Sequence, residues 1–266
     1  MRLDSALAQR GIARSRTHAA RLVADGVVTV DGIPVDKASY PVRGDQTLAV
    51  TESDHYVSRA AHKLLAALDA FPVTVAGTFA LDVGASTGGF SQVLLERGAR
   101  RVVALDVGHG QLSPVVAGDP RVSVVEGFNA RTMTAPSLAE AAGTTERPTL
   151  VVADLSFISL RTVLPALLDT VGTGADFVLL IKPQFEVGRT GIREGIVRDP
   201  ALREEAVNEV LWAAWDLGLP TAGLIASPLA GLSGNREFLV WFSATHGTNP
   251  TQWRDRVHSD AGSDKR

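Results

Sequence analysis

Four charged residues that lie far apart in the chain stand where their side chains could do chemistry. Asp154 closes the apolar run Leu-Val-Val-Ala, and Lys182 closes the run Phe-Val-Leu-Leu-Ile. Lysines are almost never fully buried without a partner, so a lysine at the mouth of a buried strand needs an explanation, and catalysis is one. Glu237 opens the last apolar run, and Lys63 lies on a predicted helix before the first strand.

These residues can meet only if the fold gathers the ends of several strands. From residue 79 onward apolar strands alternate with helical segments, which predicts a parallel sheet covered by helices. Ligands of such sheets bind beyond the carboxyl ends of the strands. A final antiparallel strand would start at that same edge, which would place Glu237 beside Lys182 and Asp154. The predicted strands are 79–83, 101–106, 121–125, 149–154, 176–181, 221–226 and 237–243.

A glycine-rich turn follows the first of these strands. The strand closes at Asp82, the turn carries Gly84, Gly88 and Gly89, and a helical pattern begins at Phe90. Glycines let the backbone approach a ligand, and the N-terminus of the next helix offers unpaired N–H groups. The turn lacks the middle glycine of the dinucleotide fingerprint and the lysine of a Walker loop, so we expect a nucleotide-like ligand other than NAD. A packing turn without a ligand is the alternative.

Two later strand ends carry further candidate ligand contacts. Asp106 closes the second strand, where an acid can accept hydrogen bonds from two ribose hydroxyls. Asn129 follows the third strand and could pair with an adenine edge. An acid at a strand end is also often a helix cap, and that alternative stays open for Asp106.

Composition limits the class of protein. The 266 residues, 45% apolar and 21% charged, suffice for one large and one small domain. A net charge of −3 gives no global basic field, so a polyanion site must be a local patch. The absence of cysteine excludes disulfides and thiolate metal sites and fits a reducing cytoplasm. Charged residues at the start and the lack of an apolar run of about 18 residues predict a cytoplasmic protein without membrane insertion.

The first 24 residues form a locally basic segment. Arginines outnumber the single acid, Asp4, and the pattern predicts two short helices followed by a hairpin over 27–35 and a strand at 47–50. Arginines on a helical face can neutralise phosphates, and a solvated helix is the alternative. Residues 51–57 are predicted to be a linker, and Ser58 is predicted to cap a helix carrying a basic stripe of Arg59, His62 and Lys63. The polar residues 246–266 are predicted to be a frayed tail.

The N-terminal pattern resembles the S4-type RNA-binding domain over about residues 1–50. The resemblance is carried by Arg2-Leu-Asp4, Arg14-Ser-Arg16 and Gly26-x-Val28-x-Val30-Asp-Gly32. It implies an RNA partner and an α+β fold for this small domain. The arginines that it implies for RNA binding, together with the one before the predicted helix, are Arg2, Arg10, Arg14, Arg16, Arg21 and Arg59.

The rest of the chain resembles S-adenosylmethionine-dependent methyltransferases of the FtsJ-like class. The glycine turn resembles their motif I, and Lys63, Asp154, Lys182 and Glu237 match their Lys-Asp-Lys-Glu set in order and context. With the segments 57–64, 154–160 and 181–186, the whole chain is similar to the TlyA family. The resemblance implies a class I, Rossmann-like α/β fold with a seven-stranded sheet over 58–245.

This family methylates ribose 2′-oxygens of ribosomal RNA, at cytidines of the small and large subunits. The resemblance implies Lys182 as base or proton acceptor, Asp154 as the residue that orients it, and Lys63 and Glu237 as positioners of the ribose. S-adenosylmethionine is the implied cofactor and ribosomal RNA the implied partner. The implied cofactor contacts are Asp82, Gly84, Ala85, Ser86, Gly89, Phe90, Asp106, Asn129 and Asp154.

The sequence departs from the family pattern at two of these cofactor positions, and other functions stay open beside this one. Asn129 stands where many relatives carry an acid, and Phe90 where others carry tryptophan. Base methylation is disfavoured because Asp154-Leu-Ser-Phe replaces the Asn/Asp-Pro-Pro-Tyr of amino-group methyltransferases. A membrane-acting haemolysin is opposed by the missing export signal and spanning segment, and a ribosome factor without chemistry is the third hypothesis.

Overall fold

The computed structural model describes residues 1–24, 26–50, 55–188, 191–192, 194–231 and 234–262. The chain forms two compact units, Met1–Arg59 and Ala60–Arg266. Part of the predicted linker, residues 51–54, lies outside the described residues. None of the helices in the described ranges combines the length and the hydropathy that a membrane span needs.

The first unit packs two helices on a small antiparallel sheet. Its elements are α1 (Leu3–Gln9), α2 (Arg16–Ala24), β1 (Val28–Val30), β2 (Ile33–Pro34) and β3 (Leu48–Val50), with the sheet order β2-β1-β3. Asp31 and Gly32 both have positive φ, 51° and 80°, which is the geometry a two-residue hairpin turn requires. The predicted helices, hairpin and third strand are confirmed.

The second unit is a seven-stranded sheet with helices on both faces. Its strands are β4 (Phe79–Val83), β5 (Arg101–Leu105), β6 (Val122–Val125), β7 (Leu150–Ala153), β8 (Asp176–Ile181), β9 (Thr221–Ala226) and β10 (Phe238–Phe242). Its helices are α3 (Ala61–Ala70), α4 (Gly89–Glu96), α5 (Pro114–Ala117), α6 (Ala135–Ala142), α7 (Leu160–Val171), α8 (Pro183–Glu186), α9 (Pro200–Asp216) and α10 (Arg254–Gly262). The central strands β4 and β7 are buried at every position and, apart from Asp82, carry only apolar residues, because helices bury both of their faces.

The strand order explains why one edge of the sheet collects the polar side chains. The order is β6-β5-β4-β7-β8-β10-β9, with β4 to β8 parallel and β10 antiparallel to both of its neighbours. Phe238 pairs with Ile181, so Glu237 and Lys182, each one residue beyond that pair, lie side by side. The predicted fold class, five parallel strands closed by an antiparallel pair, is confirmed.

Two local predictions are wrong. Helix α3 begins at Ala61 without a side-chain cap, so Ser58 does not cap it and Arg59 precedes it. The tail is not frayed through residue 262, because α10 buries Val257 and Ala261 and packs on α9. Two buried apolar residues on an otherwise polar helix are enough to dock it, a pattern too sparse to stand out in the sequence.

Candidate active site

The structure brings Lys63, Asp154, Lys182 and Glu237 together in an alternating row of charges. Lys63 Nζ lies 2.6 Å from Glu237 Oε2 and 3.6 Å from Asp154 Oδ2. Lys182 Nζ lies 2.6 Å from Asp154 Oδ1 and donates a hydrogen bond of 2.9 Å to Ser156 Oγ. The row therefore runs from Glu237 through Lys63 and Asp154 to Lys182.

Each member of this row is placed by the end of a different element. Asp154 directly follows β7, Lys182 follows β8 and stands at the N-terminus of α8, and Glu237 precedes β10. Lys63 comes from the first turn of α3. No two of these residues are neighbours in the chain, so only the completed sheet creates the site.

Burial makes the pairing of these charges necessary. Lys63, Lys182 and Glu237 are all buried, and Asp154 is half-buried. A buried charge without a partner costs several kcal/mol, and the opposite charges in the row offset that cost. The contact between Asp154 Oδ1 and Lys182 is an ion pair without the angles of a hydrogen bond, so Oδ1 receives no hydrogen bond from the described residues. That oxygen is itself buried and keeps unused acceptor capacity.

The glycine turn packs directly against the end of β7. Gly84 has φ +82°, and a Cβ there would lie 2.9 Å from the carbonyl oxygen of Asp154. Only glycine fits such a close approach, so the turn and the charged row share one rim of the sheet. Ser86, at φ +48°, is a non-glycine residue in the left-handed region, a strain that often accompanies ligand sites.

Asp106 joins two loops at this rim. Its Oδ2 accepts the Ser86 N–H at 2.8 Å and its Oδ1 accepts the Gly108 N–H at 2.7 Å. A carboxylate has about four acceptor positions, so two remain for ligand hydroxyls. Asp106 can thus organise the loops and bind a ligand at once.

Asp82 is fully buried below the turn. Its Oδ2 accepts a hydrogen bond from Ser91 Oγ at 2.6 Å, and its Oδ1 has no hydrogen-bond donor among the described residues. Burial raises the pKa of Asp82 to about 7, and repulsion by Asp154 and Asp106 adds to the rise. Three carboxylates that repel one another around a glycine turn favour a ligand with positive charge over a phosphate.

The remaining predicted cofactor contacts differ in burial and in the bonds that they already make. Ala85 and Phe90 are buried, so the ring of Phe90 offers little surface to a ligand. Asn129 is exposed, and its Oδ1 accepts the Arg131 N–H at 3.0 Å as the cap of a short 3₁₀ turn. Gly89 opens α4. Of the predicted set, Asp106, Asp154, Gly84 and Ser86 are at least partly exposed at the rim, whereas Asp82 is fully buried.

In the first unit, the predicted RNA-binding arginines have distinct surroundings. Arg2 and Arg16 bond the buried carboxylate of Asp4 at 3.0 and 3.4 Å, and the Arg2 guanidinium holds the pKa of Asp4 well below its usual range. Arg10 donates to three carbonyl oxygens of residues 43–46. Arg14 is exposed.

Two further predicted arginines complete that set. The side chain of Arg21 lies outside the described residues, and Arg59 is half-buried.

Three residues beside the charged row were not predicted. Ser156 accepts from Lys182, and Phe157 projects into solvent, 92% exposed, at φ +64° with its ring 5.3 Å from that of Phe185. Glu186 is a buried carboxylate. All three follow Asp154 or Lys182 within four positions in the chain, but a left-handed backbone or a buried glutamate has no signature in a single sequence.

Comparisons with known proteins identify the family to which this chain belongs. A family model described as FtsJ-like methyltransferase matches residues 56–244, and one described as S4 domain matches residues 1–48. The chain is 51% identical to the 16S/23S rRNA (cytidine-2′-O)-methyltransferase TlyA of Mycobacterium tuberculosis, over 90% of this chain and 88% of that protein.

Two further relatives carry a different name. Hemolysin A of Brachyspira hyodysenteriae is 37% identical over 91% of this chain and 99% of its own length. A solved structure from Streptococcus thermophilus, described as a candidate hemolysin, superposes with a TM-score of 0.75 at 35% identity, over 97% of this chain and 94% of that one. The chain therefore belongs to the TlyA family of FtsJ-like methyltransferases and carries an S4 domain at its N-terminus.

Proposed function

We propose that this chain transfers a methyl group from S-adenosylmethionine to ribose 2′-hydroxyls of ribosomal RNA, with cytidine as the target nucleoside. The observation that carries the proposal is the alternating row of Lys63, Asp154, Lys182 and Glu237 at the rim of the sheet beside the glycine turn. The target class is supported by the name of the 51% identical relative, an rRNA (cytidine-2′-O)-methyltransferase.

The residues around the glycine turn fit S-adenosylmethionine. This cofactor carries a sulfonium and an ammonium group, and the site offers three carboxylates, two of which, Asp82 and Asp154, have a buried oxygen without a hydrogen-bond donor among the described residues. Asp82 and Asp154 would balance the positive charges, Asp106 would accept the ribose hydroxyls, and the turn from Gly84 to Gly89 would supply main-chain contacts. When bound, the cofactor supplies an electrophilic methyl group.

The charged row provides for the proton that methyl transfer to a hydroxyl releases. The Lys182 amine accepts that proton while it keeps its 2.9 Å hydrogen bond to Ser156 Oγ. The ammonium that results lies 2.6 Å from Asp154, which stabilises its charge. Proton acceptance by a positioned side chain contributes roughly 10²- to 10⁴-fold to a rate.

Lys63 and Glu237 hold the acceptor ribose. Their 2.6 Å ion pair leaves N–H donors on Lys63 and an oxygen on Glu237 that can bond the ribose hydroxyls. Fixing the hydroxyl before reaction supplies part of the acceleration, because the near-attack geometry no longer has to be found by chance. In the first unit, the exposed guanidinium groups of the arginines would contact phosphates, which sets affinity and orientation.

The proposal is tested on ribosomal subunits from a strain that lacks these methyl groups. The purified wild-type protein is incubated with labelled S-adenosylmethionine, and 2′-O-methyl positions are mapped. We expect label at cytidine ribose. Label on bases, or the absence of S-adenosylmethionine binding by calorimetry, would reject the proposal, and binding of RNA without any methyl transfer would favour a ribosome factor without chemistry.

A further inference from the structure

Glu186 is a buried acid that the proposed mechanism leaves unused. It is 5% exposed and lies at the end of α8, the short helix that begins directly after Lys182. Its Oε2 accepts a hydrogen bond from Ser159 Oγ at 2.5 Å, and its Oε1 accepts the Leu160 N–H at 2.7 Å. Both donors belong to the N-terminus of α7, the helix that follows Asp154.

Several donors offset the cost of this buried charge. Burial raises the pKa of Glu186, while the bonds from Ser159 and Leu160 and the guanidinium of Arg161 at 3.4 Å oppose that rise. Arg161 also donates to the Glu186 carbonyl oxygen at 2.8 Å. A carboxylate at a helix N-terminus is further favoured by the helix dipole. The fold thus keeps a buried carboxylate, whose desolvation is costly, between α8 and α7.

The loop 154–159, which carries Asp154, Ser156 and Phe157, is held at both of its ends. One end of this loop is fixed by β7, and the other end is fixed by the bonds of Ser159 and Leu160 to Glu186. A second contact, between the rings of Phe157 and Phe185 at 5.3 Å, joins the same two segments. Glu186 therefore ties the segment that carries Asp154 to the segment that carries Lys182.

We propose that Glu186 is a positioning residue for methyl transfer, which holds the loop 154–159 in register with Lys182 and so fixes the proton acceptor against Asp154 and Ser156. The inference rests on the proposed function of the charged row. The side-chain bonds of Glu186 go to Ser159, Leu160 and Arg161 and not to the four row residues, so it acts through the loop and not on the substrate. Misplacing catalytic groups by about 1 Å can cost about 100-fold in rate, so this constraint is large enough to measure.

Two substitutions and one matched control separate positioning from simple stability. Glu186→Gln keeps one acceptor oxygen and the side-chain volume, whereas Glu186→Ala removes both acceptors. Glu209 supplies the control, because its Oε2 lies 2.7 Å from the same Arg161 but has no bond to the loop. Glu209→Gln therefore removes an acid from that arginine and leaves the contacts of Ser159 and Leu160 intact.

The experiment measures kcat and KM with ribosomal RNA, the S-adenosylmethionine Kd and amide hydrogen exchange, all well below the Tm of each variant. We expect kcat to fall about tenfold in Glu186→Gln and about 100-fold in Glu186→Ala, with an unchanged Kd and faster exchange of the Leu160 amide. Glu209→Gln should match the wild type. Partial retention of kcat by glutamine at a temperature where both variants are folded would not result from lost stability alone.

Two results would overturn the inference. A folded Glu186→Ala variant with wild-type kcat would show that the loop needs no such tie, and an equal loss in Glu209→Gln would assign the effect to Arg161. Failure of the proposed function looks different, since the wild-type protein itself would then transfer no methyl group. If Glu186→Ala does not fold, Glu186→Gln alone decides, because it retains an acceptor for the helix N-terminus.

Discussion

Lys63 and Glu237 are 174 positions apart in the chain, yet their side chains form a buried 2.6 Å ion pair at the rim of the sheet. One comes from the first turn of a helix that precedes the sheet and the other from the start of the antiparallel strand. The pair closes the charged row on the side away from Lys182. Loss of this ion pair would therefore affect both the stability of the fold and the arrangement of the site.

Breaking this pair should destabilise the protein more than removing it. Lys63→Met leaves Glu237 as an uncompensated buried charge, and Glu237→Leu does the same to Lys63 in part, so each should cost up to about 3–5 kcal/mol of unfolding free energy. The double variant Lys63→Met/Glu237→Leu should recover much of that loss. Urea unfolding of the four proteins gives the coupling energy. Additive losses in the double variant would contradict a pair that depends on mutual compensation.

Removal of the Lys182 amine should abolish chemistry and spare cofactor binding. Lys182→Ala is expected to lower kcat at least about 100-fold, because the proton of the ribose hydroxyl loses its acceptor. Calorimetry with S-adenosylmethionine should give a Kd within about threefold of the wild type, a difference below about 0.7 kcal/mol. Ser156→Ala, which removes one 2.9 Å partner of Lys182 but keeps the ion pair with Asp154, should show a smaller loss. Normal turnover by Lys182→Ala would reject its role.

The positions of these residues were predictable because the ends of parallel strands share an edge. Runs of apolar residues that close on Asp82, Asp106, Asp154 and Lys182 predicted both the sheet and its polar rim. The position of Glu237 at the same edge was predictable because the last strand runs antiparallel to the others. The distances between these side chains could not be predicted, since the sequence determines which strand ends are polar and only packing determines how closely those ends approach.

Other features depend on tertiary context that a single sequence does not carry. The left-handed backbone of Phe157 and the burial of Phe90 are decided by neighbours from distant segments. The sequence predicted that Ser58 caps α3, whereas the helix begins at Ala61 and has no side-chain cap. A local capping rule cannot foresee an uncapped helix. Docking of α10 rests on two apolar residues within a polar stretch.

Stability should depend on pH through Asp82. Its folded pKa of about 7 lies above the ordinary value of 3.8, so the folded protein binds a proton that the unfolded chain releases. The contribution is thus fully present below about pH 4 and is lost as pH rises through about 7, with a slope of at most about 1.4 kcal/mol per pH unit. Asp82→Asn should remove this slope. Denaturant unfolding of both proteins at pH 5 and 8 measures it, and equal pH dependence of the two would refute the assignment.

Phe157 should contribute to RNA recognition and not to stability. Its ring is 92% exposed, so Phe157→Ala should leave the Tm nearly unchanged. An exposed ring next to the charged row can stack on a base, an interaction that contributes about 1–3 kcal/mol per base, so kcat/KM for RNA should fall about 5- to 150-fold. Phe157→Trp keeps a stacking surface and should restore much of the loss. Equal activity of the alanine and tryptophan variants would contradict stacking.

The arginines of the first unit should differ in what their removal does. Arg14 is exposed and its side chain has no bond to a described residue, so Arg14→Ala should weaken RNA binding and reduce the salt dependence of log K by about one contact, with the Tm unchanged. Arg2 also neutralises the buried Asp4 at 3.0 Å, so Arg2→Ala should weaken binding and lower the Tm as well. Filter binding across a salt series and thermal melts separate the two effects. Identical Tm values for both variants would show that Arg16 alone suffices to neutralise Asp4, and an unchanged salt slope for Arg14→Ala would remove that side chain from the phosphate contacts.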